Sequence, residues 1–163
     1  MKTYQELWQS LTPLYEASEA QAIVRLVLEV KYGMTLTDII GGKVNELSAD
    51  EGKKLEEIIE RLQNAEPVQY VLGQTDFMGM TFHVEPGVLI PRPETAELCQ
   101  WIIDTEKEKM EKAQLLLHTQ DTKRPNMGKG EGLYELRIVD FCTGSGCIAI
   151  TLALELPDYE VTA

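Results

Sequence analysis

The chain has 163 residues, with 15 basic and 27 acidic side chains and a formal net charge of −12. That excess of carboxylates leaves no basic footprint for phosphate contacts, which excludes direct nucleic-acid binding as its main work. Apolar residues make up 44% and charged residues 26%, enough to fill a core, so general disorder is excluded as well.

The longest uncharged run, Phe141 to Leu154, contains Gly and Ser and falls short of the roughly 18 apolar residues of a membrane span. Met1 to Glu6 lacks the basic region and apolar core of a secretion signal, so a cytoplasmic monomer without a membrane partner is expected. Cys99, Cys142 and Cys147 are odd in number and lack CxxC spacing. They are expected to be reduced thiols, neither a disulfide framework nor a metal site.

Residues 1–65 read as a small helical domain. Thr3 with Glu6, Ser18 with Gln21, and Ser48 with Glu51 fit the capping box, in which a hydroxyl and a side chain three residues on satisfy free amides at a helix start. Three helices are predicted. In the second, Ala22, Ile23, Leu26, Val27 and Val30 form the apolar stripe, and Gly33 stops the helix. In the third, Leu55, Ile58, Ile59 and Leu62 do the same. Trp8, Tyr15 and Tyr32 beside these stripes are assigned to the core.

Residues 66–91 form a linker. Pro67 ends the helical run, and Gln74–Met78 with Thr81–Glu85, joined through Gly79-Met80, predict a β-hairpin packed by Phe77 and Phe82. Pro86, Pro91 and Pro93 then stiffen the backbone, since each ring fixes its own φ and restrains its predecessor. Residues 92–163 open with a helix from Pro93 to about Lys112, with Glu94 and Glu97 at its positive end. A Gly- and Lys-containing stretch near 113–134 reads as a flexible insertion. A strand Leu136–Asp140, a glycine turn, a buried helix Cys147–Leu154 stopped by Pro157, and a second strand from Tyr159 complete the pattern.

Strand, glycine loop and helix in that order open a doubly wound α/β sheet, whose ligands bind beyond the carboxyl ends of the strands. Gly144 and Gly146 let the backbone turn tightly and a ligand approach its amides. The spacing Gly144-x-Gly146-x-x-Ala149 also fits a dinucleotide fingerprint, and alone it is no more than a turn. Asp140 separates the cofactors: a carboxylate at the strand tip repels a pyrophosphate but suits the ammonium and sulfonium of S-adenosylmethionine. An NAD(P)-dependent oxidoreductase needs an acid about 20 residues past the loop, whereas Glu160 lies 14 past Gly146 (160 − 146).

Four motifs in order, Glu66–Gly73, Phe77–Val84, Leu89-Ile-Pro-Arg-Pro-Glu-Thr95 and Val139-Asp-Phe-Cys-Thr-Gly-Ser-Gly-Cys-Ile-Ala149, resemble the HemK/PrmC family, whose members methylate the side-chain amide of a glutamine in peptide chain release factors. The resemblance implies an α+β chain: an N-terminal helical bundle that recognises substrate, a hairpin linker, then the start of a Rossmann-like methyltransferase domain. It implies that Cys142, Thr143, Gly144, Ser145 and Gly146 wrap the methionine end of S-adenosylmethionine, with Asp140 in support, and it points to Arg92, Glu94 and Thr95 as a substrate-pocket wall. Bracing of the domain junction is the alternative role for those three. The family commonly has Gly where this chain has Cys142.

Two family features do not occur before Ala163: an acid after the second strand for the ribose, and an Asn-Pro-Pro-Tyr motif that holds the glutamine amide. The chain is therefore expected to be the N-terminal part of the enzyme, inactive alone. An amide nitrogen is a poor nucleophile, its lone pair delocalised into the carbonyl, so the missing motif would supply the positioning. A non-catalytic protein-docking module is the remaining alternative.

Overall fold

The structure, a computed structural model, describes residues 2–119 and 136–163. Reciprocal caps open three helices, α1 (Tyr4–Gln9), α3 (Leu36–Ile40) and α4 (Ala49–Gln63), from Thr3, Thr35 and Ser48 in extended backbone. At α4 the Ser48 hydroxyl accepts from the Glu51 amide at 3.3 Å, and the Ser48 amide donates to Glu51 Oε2 at 2.8 Å. The Thr35–Asp38 box and the short helix it starts were not among the expected elements. Conversely, α2 (Ala17–Tyr32) has Glu16 at its N-cap and no side-chain cap. The Ser18–Gln21 box does not form, because the helix reaches back past Ser18 and a hydroxyl caps only from a non-helical residue.

The buried face of α2 is Ala20, Val24, Val27 and Leu28, with Ala22 exposed. Of the expected stripe, Val27 is buried and Ile23, Leu26 and Val30 pack half-buried against the same core, so only Ala22 falls outside it. The helix is apolar over a wide arc, and its packing against α1, α3 and α5 (Val68–Leu72) selects the face. On α4 the expected Leu55, Ile59 and Leu62 are buried. Gly33 ends α2 in the left-handed region at φ 62°. Pro67 ends one helical run and is also the N-cap of α5, where a missing amide proton costs nothing. The intervening turn is clamped by Arg61, whose Nε and Nη2 donate to the two Glu66 oxygens at 2.7 and 2.5 Å. Trp8, Tyr15 and Tyr32 pack half-buried against this core; Tyr32 donates its hydroxyl proton to the Glu51 carbonyl at 3.2 Å.

The chain divides into two units, Met1–Thr75 with His83–Pro86 and Asp76–Phe82 with Gly87–Ala163. The boundary runs through a hairpin of β1 (Gln74–Phe77) and β2 (Met80–His83). Its turn is Met78-Gly79, one residue earlier than expected; both residues have positive φ, 48° and 77°, as a two-residue hairpin turn requires. Phe77 and Phe82 meet edge to face, centroids 6.0 Å apart. They share the second unit's core with Cys99, Ile103, Cys147, Leu152 and Leu156.

The second unit starts from α6 (Pro93–Thr119), which begins where expected but outruns Lys112. No Gly or Pro interrupts the sequence between Pro93 and Pro125, so nothing breaks the helix at 112. Residues 113–119 of the expected flexible insertion are therefore helical; the rest of it, 120–134, lies outside the described residues. β3 (Arg137–Val139) pairs in parallel with β4 (Glu160–Thr162), in the register Arg137↔Glu160, Ile138↔Val161, Val139↔Thr162. The crossover between them is α7 (Cys147–Glu155), the connection that parallel neighbours need. α7 packs on α6, Lys107 pairs with Glu155 at 2.9 Å, and Tyr159 donates to Glu106 at 2.6 Å. Burial, with the Glu106 carboxylate beside it, pushes the Tyr159 hydroxyl up to about 12. α7 is not buried all round: Cys147, Ala149, Thr151 and Leu152 are covered, while Ile150 is 46% and Leu154 65% exposed. Among the described residues no helix is long and apolar enough to cross a membrane. Helices and small sheets together make the chain α+β.

The turn from β3 into α7 places Cys142, Gly144 and Gly146 in the left-handed region, at φ 66°, 58° and 78°. Cys142 carries a Cβ there and is strained. Relief of about 1–2 kcal/mol in Cys142→Gly is offset by about 0.4–1 kcal/mol of unfolded-chain entropy. Urea unfolding is thus expected to show a gain of up to about 1 kcal/mol; a loss would contradict the strain.

The capping carboxyls give a pH dependence. Glu6 and Asp38 are held below their ordinary 4.5 and 3.8 chiefly by their caps' amides, and Glu51 below 4.5 chiefly by the Ser48 hydroxyl. Their contribution is complete above those ordinary values and is lost as pH falls through the lowered ones. The urea midpoint of the first unit is expected to decline below pH 4.5, less steeply in Glu51→Gln; an equally steep decline would contradict it.

Candidate functional site

The strand-to-helix turn collects six of the singled-out residues, Asp140 and Cys142–Gly146, in one loop. Asp140 leaves the carboxyl end of β3 with its amide bonded to the Thr162 carbonyl at 2.8 Å. Three residues on, Thr143 Oγ1 donates to the Asp140 carbonyl at 3.1 Å. Gly146 N then donates to the Thr143 carbonyl at 2.9 Å, and Ile150 N takes up the Gly146 carbonyl as α7 begins. The turn is therefore internally closed.

What it leaves open is the ligand side. Among the described residues, the amides of Cys142, Gly144 and Ser145 donate to no protein acceptor. A Cβ added to Gly144 would find only the Cys142 carbonyl, 3.9 Å away, so space lies over that amide. At Gly146 an added Cβ would stand 3.2 Å from Ile150 Cδ1, so glycine also permits close packing at the start of α7. Left-handed residues at alternate positions, with unpaired amides at Cys142, Gly144 and Ser145, form a turn suited to a carboxylate or another anion.

Asp140 contributes the opposite charge. Its Oδ2 is shielded from solvent and has no hydrogen-bond partner. A buried carboxylate oxygen without a partner is costly and needs a reason. Asp140 is also felt inside the unit: burial pushes the Cys99 thiol up, with Cys147 and Asp140 adding to the shift. All three cysteines are free, Cys142 exposed and the other two buried. Free donors and an unpaired carboxylate in one turn match a zwitterion, as the methionine end of S-adenosylmethionine is. The residues present fit that group.

Arg92, Glu94 and Thr95 lie at the head of α6. The Arg92 carbonyl accepts from Thr95 N at 3.0 Å and Ala96 N at 3.4 Å, and Arg92 and Glu94 are exposed at the head of α6. Among the described residues, none of the three bonds or pairs with Asp140–Gly146. Glu160, weighed as a ribose acid, lies in β4 and pairs with Arg137 across the ladder at 3.0 Å. Two features escaped the sequence reading: the Thr143 hydroxyl link, signalled only by a Thr three residues after Asp140, and Phe141, 84% exposed beside that carboxylate. Cavities of about 480 and 440 Å³ lie in the first unit, one lined by Lys31, Tyr32, Lys54, Ile58, Arg61 and Val71 among others, the other by residues 12–17 and Glu19. Lys31 is already committed to the Leu72 carbonyl and Arg61 to Glu66.

Residues 7–73 match the family described as PrmC N-terminal domain. The chain is 41% identical over 155 residues to a release factor glutamine methyltransferase of Bacteroides thetaiotaomicron, covering 95% of this chain and 46% of that protein. Proteins of the same description from Flavobacterium psychrophilum and Bacillus subtilis are 34% and 30% identical, covering 95% and 100% of this chain and 47% and 50% of theirs. The chain thus spans about half the length of the curated relatives it matches. The matches run from the first helices through the glycine turn, and residues 7–73 belong to the PrmC N-terminal domain family.

Proposed function

We propose that the intact gene product transfers a methyl group from S-adenosylmethionine to the side-chain amide nitrogen of a glutamine in a peptide chain release factor. The observation that carries the donor assignment is the orphaned Asp140 oxygen beside a turn of unpaired amides. The substrate assignment rests on the description shared by the relatives.

In this reading β3, α7 and β4 are the opening unit of a doubly wound, Rossmann-like sheet, with the loop at its carboxyl edge, where such sheets bind ligands. A wider sheet would also cover Ile150 and Leu154. Residues 1–65 recognise the release factor, 66–91 link, and 92–163 begin the donor domain. The donor supplies, when bound, a methyl group on a positively charged sulfur. The loop amides of Cys142, Gly144 and Ser145 hold its carboxylate, and Asp140 balances its positive charge. A negatively charged pyrophosphate would lose by the same arrangement. Glu160 sits in β4, 14 residues past Gly146, closer than the ribose acid of a nicotinamide site.

Calorimetric titration of the intact gene product tests this. S-adenosylmethionine is expected to bind, and Asp140→Asn to weaken it about 10- to 100-fold, the value of a hydrogen bond to a charged group. The variant should fold, since Oδ2 gives up no bond within the protein. Binding of NADH without S-adenosylmethionine, or an unaffected variant, would contradict the assignment. With donor bound, labelled methyl should pass to a release factor and not to one whose target glutamine is replaced.

A further inference from the structure

We infer that Thr143 is a positioning residue of the donor site, acting through Asp140 and Gly146 and not through its own contact with the donor; the inference rests on the donor reading above. Its hydroxyl proton is used inside the turn, on the Asp140 carbonyl at 3.1 Å. Its own carbonyl takes the Gly146 amide at 2.9 Å. Its methyl carbon Cγ2 lies 3.9 Å from where a Cβ on Gly146 would stand. Its hydroxyl thus holds the first residue of the turn, and its main-chain carbonyl holds the last. The Asp140 main chain is held on both sides, its amide by the Thr162 carbonyl and its carbonyl by Thr143, while its carboxylate oxygen Oδ2 stays unpaired. A group held in place before its ligand arrives binds without an ordering cost. Without the hydroxyl, the turn must be ordered at the moment of binding.

The test uses the intact gene product with Thr143→Val, which keeps the shape and removes the proton, and Thr143→Ser, which keeps the proton. Two readouts are taken: calorimetric affinity for S-adenosylmethionine, and hydrogen exchange of the Gly146 amide without donor. Thr143→Val should bind about 3- to 10-fold more weakly, the worth of one neutral hydrogen bond, and raise KM for the donor more than it lowers kcat. Its Gly146 amide should exchange faster, and Thr143→Ser should recover most of both effects. Wild-type affinity and exchange in Thr143→Val, or a serine variant as impaired as the valine one, would overturn the inference. If the wild type does not bind S-adenosylmethionine, the donor reading fails, and unchanged exchange in Thr143→Val would show separately that the hydroxyl does not hold the turn.

Discussion

Between Val139 and Cys147 the chain must pass from strand to helix in a few residues, and this constraint organises the second unit. Such a reversal is possible only where side chains yield the left-handed region to the backbone, and it does so at Cys142, Gly144 and Gly146. The conformation that turns the chain also leaves the amides of Cys142, Gly144 and Ser145 unpaired. Closure of the turn from within, through Thr143, makes that arrangement independent of any ligand. The parallel pairing of β3 with β4 fixes where Asp140 leaves the ladder, so strand register and carboxylate position are one fact.

The first unit is organised differently. Its helices are short, and short helices are marginal without caps and packing. Reciprocal caps start three of them, and the larger helices α2 and α4 supply buried leucines and valines. Long-range ties to carbonyls then hold its parts together: Lys31 reaches Leu72, Tyr15 reaches Leu62, and Tyr32 reaches Glu51. These are structural bonds. They leave the chemistry to the second unit, where charge is left unpaired.

Much of this was legible in the residues, and the misses have causes. Capping boxes at Thr3 and Ser48 were readable because nothing upstream could extend those helices. At Ser18 the same pattern misled, since Ala17 and Glu16 carry the helix further back. Pro67 was seen as a stop, yet a residue that cannot donate is as suitable at a helix start. On α2 only Ala22 was misplaced, because a wide apolar arc leaves its edge undecided until neighbouring helices pack on it. The hairpin turn was misplaced by one residue, a left-handed methionine being an uncommon choice. For the site, glycine spacing and Asp140 were visible in order; the unpaired oxygen and the Thr143 link were not, because both depend on three-dimensional closure.

The central claim is that the turn after β3 receives a zwitterionic methyl donor on ready-made amides beside an unpaired carboxylate. Amide NMR of the intact gene product, titrated with S-adenosylmethionine, examines it at the residues concerned. The amides of Cys142, Gly144 and Ser145 should shift together and saturably, ahead of any in the first unit. Shifts confined to the first unit, or none in the turn at saturating donor, would contradict the account.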